Sequence, residues 1–359
     1  MKKIFFTLAA SLCLVTSYAQ SSGEFSDKIN LDCLEVQDQG YSGTCWCFSS
    51  MSFLETEMMK NGIKNVPNLS EMYVVRYNYL DRAKKYVMLH GNMTFSQGSY
   101  FWDNIAVMRD YGLVPEEAYP NTKTEGMGIN HSDMEQELKR YIDSVADESN
   151  KFIDTAWVDG YNALLDKYLG KVPESFSFDG KTYTPESFAK NYCGLNPEDY
   201  IQVTSFSHHG FNTFFPLELP DNWRWSMFLN VKIDDLITVI DNSLAQGHTV
   251  LWASDVSEDG FNYYKGVAVL TEDGVTQESR QKDFINRKTT DDHGMQIVGT
   301  AVDKNGGKFY KVKNSWGKGN AYRGYLYVSE DFVKAKTTGL LVNKECCKEF
   351  LETAKTEFK

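Results

Sequence analysis

Residues 39–49 read Gln39-Gly40-Tyr41-Ser42-Gly43-Thr44-Cys45-Trp46-Cys47-Phe48-Ser49, and this run sets the architecture expected of the whole chain. The pattern after Cys45 repeats at three- and four-residue spacing, which predicts a helix from Cys45 to about Lys60. A thiol at the start of a helix is stabilised as a thiolate by the positive end of the helix dipole. The Gln39 side chain and the Cys45 backbone N–H can donate to an oxyanion, and Gly43 permits a tight loop. We therefore predict that Cys45 is a nucleophile for acyl transfer.

Two downstream segments supply the base that a thiol nucleophile needs and a partner that orients the base. His293 precedes an apolar alternation, which predicts that it begins a strand. Asn314 follows the strand-like run 309–312 and begins Asn314-Ser315-Trp316-Gly317, 21 positions after His293. We predict that the Asn314 carbonyl accepts from one imidazole nitrogen and leaves the other facing Cys45. Trp316 is expected to shield that hydrogen bond from water.

These segments resemble the papain-like cysteine peptidases, and in particular the bleomycin hydrolase/aminopeptidase C branch. Two motifs resemble the whole group: Asn314-Ser315-Trp316-Gly317 and Gly324-Tyr325-Leu326. Others resemble the branch, among them Leu69-Ser70-Glu71-Met72-Tyr73, Tyr111-Gly112-Leu113-Val114-Pro115 and Val250-Leu251-Trp252-Ala253-Ser254-Asp255-Val256. The resemblance implies an α+β, papain-like two-lobe fold, with the cysteine on a helical lobe and the histidine and asparagine on a β-rich lobe.

The resemblance also implies a role for each site residue. Cys45 is the nucleophile, His293 the base and acid, Asn314 the orienting group and Gln39 an oxyanion donor. The predicted substrate-binding residues beside them are Gly43, Trp46 and Trp316. The predicted activity is peptide hydrolysis through an acyl-enzyme, with a peptide as the substrate and no metal or organic cofactor.

Three other features are predicted to be structural. Cys47 is two positions from the nucleophile and is predicted to lie in the core. His208-His209 has no third ligand at a sensible sequence spacing, so we predict a loop there and no metal site. Asn222-Trp223-Arg224-Trp225 is predicted to pack an inserted segment onto the body of the protein, and substrate binding is the alternative.

The spacing of Cys45 and His293 predicts a large insertion between the lobes. They are 248 positions apart, whereas papain needs roughly 130–150 residues for that step. The predicted division is a signal peptide at 1–19, a helical lobe at 20–130, an insertion at 131–235, a β-rich lobe at 236–345 and an amphipathic tail at 346–359.

Composition and the N-terminal segment limit the partners and the compartment. Two lysines precede a short apolar run, and Ser17-Tyr18-Ala19 precedes Gln20, which predicts cleavage after Ala19 and export to the periplasm or the extracellular space. No later stretch approaches the length of a membrane span, so no membrane association is expected. A net charge of −12 argues against nucleic-acid binding.

The tail decides which kind of peptidase we expect. In the family that the chain resembles, the C-terminus lies in the cleft and blocks one side of it, which implies an aminopeptidase. The resemblance also implies a hexameric assembly. Here Cys347, Phe350, Leu351, Ala354 and Phe358 fall on one helical face, which favours a docking helix over an extended arm. An aminopeptidase is the first prediction, and an endopeptidase with an open cleft is the alternative. An acyl transferase and a non-catalytic peptide-binding module are further alternatives.

Overall fold

The computed structural model describes residues 24–121, 128–271 and 274–356. The predicted signal peptide at 1–19 lies outside these residues, so export stays a prediction, as do the hexameric assembly and the absence of nucleic-acid binding. No helix in the described part of the chain is long and apolar enough to span a bilayer.

The first half of the described chain is mainly helical. The helices are α1 (Cys45–Lys60), α2 (Glu71–Met88), α3 (Phe101–Tyr111), α4 (Ser132–Ala146), α5 (Trp157–Leu169), α6 (Pro185–Ser187), α7 (Ile233–Ala245), α8 (Gln277–Ile285), α9 (Glu330–Lys336) and α10 (Lys348–Leu351). A π-helical turn, Phe188–Tyr192, follows α6, and short 3-10 turns cover Pro197–Asp199 and Lys344–Cys347.

Most of the described strands lie after residue 199. The strands are β1 (Phe25–Asn30), β2 (Phe176–Phe178), β3 (Lys181–Tyr183), β4 (Tyr200–Thr204), β5 (Thr213–Pro216), β6 (Met227–Asn230), β7 (Val250–Ser254), β8 (Phe261–Asn262), β9 (Val267–Ala268), β10 (His293–Asp303), β11 (Lys308–Lys313), β12 (Tyr325–Ser329), β13 (Thr337–Asn343) and β14 (Lys355–Thr356). β2 and β3 form a separate hairpin, and the other described strands join one sheet in the order β14-β5-β6-β4-β13-β7-β10-β11-β12-β9-β8, with β1 on β10.

The central strands of this sheet separate two hydrophobic cores. Leu251 and Ala253 of β7 belong to the core that holds the helices α1–α5, whereas Val250 and Trp252 belong to the core that holds α7 and α9. Successive residues of a strand point to opposite faces, so one short strand serves both cores. The α+β, two-lobe fold is confirmed, and the boundaries predicted at residues 130 and 235 stay predictions.

A buried polar network joins α1 to the sheet. The Gln296 amide of β10 accepts from the Ser52 hydroxyl at 2.7 Å and donates to Thr249 at 2.9 Å. Thr249 in turn hydrogen-bonds Thr56 at 2.7 Å. Each buried polar group thus has a partner across the junction, which fixes the rotation of α1 against β10.

The expected helix in the tail is wrong. α10 has four residues, and β14 pairs in parallel with β5 at the edge of the sheet. Backbone hydrogen bonds to this edge replace those that a longer helix would make. Phe350, Leu351 and Ala354 still pack against the β-rich core, so the tail is amphipathic as predicted, and Phe358 lies outside the described residues.

Candidate active site

The start of α1 presents Cys45 at the base of a cavity. α1 runs from Cys45 to Lys60, as the spacing predicted. The Thr44 carbonyl accepts from the N–H groups of Cys47 and Phe48, and the first turn has no acidic residue. The first N–H groups of a helix have no partner within it, so the Cys45 N–H is available to an oxyanion.

His293 and Asn314 meet as the sequence predicted. The His293 Nε2 lies 2.7 Å from the Asn314 Oδ1, and both side chains are buried. The Ser315 backbone N–H donates to the same Oδ1 at 2.8 Å, which identifies that atom as the oxygen. A neutral His293 therefore carries its proton on Nε2 and keeps the lone pair of Nδ1 for the thiol. The Trp316 ring packs against the imidazole of His293, and the centroids of these two rings are 4.4 Å apart.

Gly294 lets β10 approach α1 closely. A Cβ at position 294 would lie 3.0 Å from the Phe101 ring and 3.3 Å from the Cα of Trp46. The Gly294 backbone also acts on the Cys45 thiol and lowers its pKa, against the effect of burial. The absence of a side chain here brings the strand that carries His293 against the helix that carries Cys45.

Burial shifts both reactive groups toward their neutral forms. It raises the pKa of the Cys45 thiol to about 12, and the charge of Asp291 acts in the same direction. It lowers the pKa of His293 to about 4, which the Asn314 hydrogen bond partly opposes. Transfer of the thiol proton to the imidazole creates both charges together, so their attraction offsets part of the desolvation cost.

Gln39 is held where an oxyanion donor is needed. Its Oε1 accepts from the Ser315 hydroxyl at 2.7 Å, and its Nε2 donates to the Ser42 carbonyl at 2.8 Å. An amide nitrogen carries two hydrogens, so one N–H remains for a substrate oxygen. Because Ser315 follows Asn314, a single turn positions both the oxyanion donor and the orienting group.

These groups line one cavity of about 280 Å³. It is bordered by Gln39, Gly43, Cys45, Trp46, Gly98, Ser99, Tyr100, Phe101, Asp221, Ala253, Asp291, Asp292, His293, Gly294 and Trp316. All seven predicted site residues except Asn314 line it, and Asn314 reaches it through His293. A larger cavity of about 940 Å³ lies between α2, α3 and the β4–β6 strands and contains none of the seven.

Gly43 and Trp46 are fixed by one residue that the sequence analysis missed. The Gln97 side-chain oxygen accepts from the Gly43 N–H at 2.8 Å, and the Gln97 carbonyl accepts from the Trp46 indole at 3.0 Å. Asp221 and Asp291 were missed as well. They are 176 and 246 positions from Cys45, and no local pattern marks them as neighbours of the thiol.

The features expected to be structural have mixed outcomes. Cys47 is buried in the helical core, as predicted. His208 and His209 lie in a loop, as predicted. The expectation that they lack a third ligand is wrong, because Glu218 lies 3.0 and 2.7 Å from their Nε2 atoms, and the absence of a metal site stays a prediction. The two histidines precede β5 and Glu218 follows it, and sequence spacing does not reveal that they meet.

Packing onto the body, predicted for the whole run Asn222–Trp225, is found for Trp223 and not for Trp225. The Trp223 indole donates to Ser99 at 2.9 Å, beside the cavity. Trp225 is exposed instead, with the Lys85 ammonium 3.5 Å from its ring centroid.

Comparisons with known proteins agree with this arrangement. A profile of the Peptidase C1-like family matches residues 92–358. Aminopeptidase W of Lactobacillus delbrueckii subsp. lactis is 25% identical over 88% of this chain and 82% of its own length. Aminopeptidase C of Lactobacillus helveticus is 23% identical over 99% of this chain and 91% of its own.

A solved structure shows the same fold. PepW from Lactobacillus rhamnosis HN001 superposes with a TM-score of 0.71 at 18% identity, over 92% of this chain and 86% of that one. The profile match spans His293 and Asn314, and the aminopeptidase C alignment covers nearly the whole chain. With its papain-like α+β fold, this chain belongs to the Peptidase C1-like family.

Proposed function

We propose that this protein is a cysteine aminopeptidase in which Cys45, His293, Asn314 and Gln39 carry the chemistry. The observation that supports this most directly is the 2.7 Å hydrogen bond from His293 Nε2 to Asn314 Oδ1, beside the cavity that also holds Cys45. The relatives that align over most of the chain are named aminopeptidases.

Acylation follows from the positions of these groups. The Cys45 sulfur attacks the carbonyl carbon as its proton passes to the His293 Nδ1. The Cys45 N–H and the free Gln39 N–H bind the oxygen as it becomes negative. The His293 imidazolium then donates its proton to the leaving nitrogen, the C–N bond breaks, and the acyl group remains on sulfur.

Deacylation uses the same groups in reverse. The neutral His293 imidazole removes a proton from a water molecule, which attacks the thioester carbonyl. The same two N–H groups bind the second oxyanion, and the thiol leaves with the proton from the imidazolium. Asn314 holds the ring through both halves without contacting the substrate.

The test compares one peptide with a free and with an acetylated N-terminus, and mass spectrometry identifies the products. We expect sequential loss of residues from the free peptide alone. Internal cuts in both peptides would contradict the aminopeptidase assignment and favour the endopeptidase. Cys45→Ser should abolish turnover in either case, whereas Cys47→Ser, which changes a core thiol, should retain it if the variant folds.

A further inference from the structure

One end of the catalytic cavity is acidic. Asp221 follows β5 in the inserted region, and Asp291 lies two residues before His293. Both line the same cavity as the thiol, and both raise the pKa of Cys45 through their charge. The two carboxylates and the reacting sulfur therefore border one cavity.

We propose that Asp221 and Asp291 bind the free α-amino group of the peptide substrate and so restrict cleavage to the first peptide bond. This rests on the proposed function and adds the residues that select the substrate. The acidic pair does not stand alone as a site, since it shares its cavity with the nucleophile and the base.

Each carboxylate is held in the wall of the cavity. Asp291 accepts from the Thr338 hydroxyl at 2.9 Å, which uses one of its two oxygens. The Asp221 carboxylate lies over Gly98, where a Cβ would collide with its Oδ2. The backbone of Gly98 does not have the positive φ that often requires a glycine. Position 98 is therefore a glycine because any side chain there would occupy the space of the Asp221 carboxylate.

The loop that carries Asp221 is a fixed part of the body. Trp223 donates to Ser99 at 2.9 Å. The Arg224 guanidinium lies 2.9 Å from Asp103 of α3 and 2.8 Å from Asp81 of α2. These contacts hold Asp221 in the wall of the cavity.

The pair lacks a close cation. In the described part of the chain, the ion-pair partner of Asp221 is Arg82, at 4.0 Å, and Asp291 has none. Arg82 is itself directed to the carbonyls of Ser96 and Gly98, at 2.6 and 2.7 Å.

Burial and repulsion between the two carboxylates disfavour their charged forms, and a bound cation would oppose both effects. Burial raises the pKa of Asp291 to about 8, and the charge of Asp221 adds to this. Burial also raises the pKa of Asp221, against the effect of Arg82. An ammonium ion placed between them relieves the repulsion and restores both charges.

In the described structure the C-terminal segment is not what limits the cavity to a peptide with a free N-terminus. Residues 344–356 do not line the catalytic cavity, and β14 lies at the β5 edge of the sheet. A neutral acetylated N-terminus would desolvate the two carboxylates without an opposite charge, which selects against it.

The experiment measures kcat/KM for alanine, leucine and arginine amides of aminomethylcoumarin, each with a free and with an acetylated amine. We expect the unmodified enzyme to prefer the free amines. Asp221→Asn and Asp291→Asn should each lower kcat/KM for the free amines about 10- to 100-fold, mainly through KM, because one charged hydrogen bond is lost. Hydrolysis of the acetylated amides should stay within about threefold, so the selectivity collapses.

Two controls separate a loss of recognition from a loss of structure. Asp110→Asn makes the same change on an exposed ion pair of α3 and should leave the selectivity unchanged. At about pH 9, where Asp291 is ionised because its pKa is about 8, alkylation of Cys45 by iodoacetamide should become faster in Asp291→Asn, because the charge of Asp291 raises the pKa of the thiol. A damaged site would slow this reaction.

Several results would overturn the proposal. One is equal hydrolysis of free and acetylated amides by the unmodified enzyme, and another is selectivity that survives both substitutions. A preference for blocked dipeptide amides with lysine or arginine before the cleaved residue would assign the carboxylates to a basic side chain instead.

The proposal remains testable if the enzyme turns over none of these amides. Leucinamide should then protect Cys45 from alkylation and N-acetyl-leucinamide should not. Equal protection by both would refute amine binding, whereas absent turnover with selective protection would refute only the proposed peptidase activity.

Discussion

His293 combines two effects on its proton affinity. Burial disfavours the imidazolium and lowers its pKa from 6.5 to about 4, and the Asn314 hydrogen bond opposes this in part. Only the neutral ring can remove the thiol proton. A lowered pKa means that the ring stays neutral, and competent as a base, at a pH where an exposed histidine would be protonated.

We therefore predict that Cys45 stays reactive below pH 6.5. The rate of alkylation by iodoacetamide, measured between about pH 3.5 and 8, should fall with an acid midpoint well below the ordinary histidine value. The reagent is uncharged, so substrate titration does not enter. The Cys45→Ser variant measures the contribution of the other cysteines. An acid midpoint at or above 6.5 would contradict the assignment of a buried, Asn314-bonded base.

At the scale of elements, the site depends on how closely β10 approaches the start of α1. Gly294 makes this approach possible, with the Phe101 ring, the Ser49 hydroxyl and the Trp46 Cα all within 3.3 Å of a Cβ at that position. Two of these atoms belong to α1 itself. A side chain at 294 would force the strand and the helix apart, and the strand's first residue is His293.

We predict that Gly294→Ala lowers kcat about 3- to 10-fold, because its Cβ contacts require a shift of a few tenths of an ångström, less than the displacement near 1 Å that costs about 100-fold. Gly319→Ala is the matched control, since a Cβ at 319 meets no atom within 4 Å and its φ is not positive. Steady-state kinetics on a free-amine substrate would measure both, with circular dichroism to confirm folding. Full activity in Gly294→Ala would show that the close approach does not position the base.

Elements with strong local signals were predicted closely, and contacts between distant segments were not. α1 begins at Cys45 and ends at Lys60, and β10 begins at His293, as the patterns indicated. The hydrogen bond between Ser315 and Gln39 joins residues 276 positions apart. Such a contact depends on how the lobes pack, and a single sequence shows only the periodicity of each segment.

The tail shows how a local pattern can mislead. The spacing of Cys347, Phe350, Leu351 and Ala354 suits one face of a helix. In the structure a 3-10 turn and α10 place these residues against the β-rich core, and β14 then pairs with β5. Burial of the apolar side chains was predictable, whereas the exposed sheet edge that ends the helix was not.

At the scale of the whole molecule, Glu57 joins the end of α1 to the β-rich lobe. Its Oε1 lies 2.7 Å from the His248 Nδ1, before β7, and its Oε2 accepts from the Asn343 amide at 3.0 Å, at the end of β13. All three side chains are buried. α1 therefore contacts the second lobe at both ends: near His293 through Cys45, and near His248 through Glu57.

Glu57→Ala would remove the shared acceptor and leave two buried donors without a partner. We predict that it lowers the free energy of unfolding by about 2–4 kcal/mol, since each buried unsatisfied group has a penalty of about 1–3 kcal/mol. Glu57→Gln keeps one acceptor and should lose less. Glu148→Ala, at an exposed position, should change little. Urea denaturation followed by circular dichroism would measure these differences, and an unchanged midpoint in Glu57→Ala would show that the far end of α1 does not hold the lobes together. If the far end of α1 does hold the lobes together, Glu57→Ala should lower the free energy of unfolding and change kcat little. The reason is that the contacts around Cys45 and Gly294 lie at the opposite end of the helix.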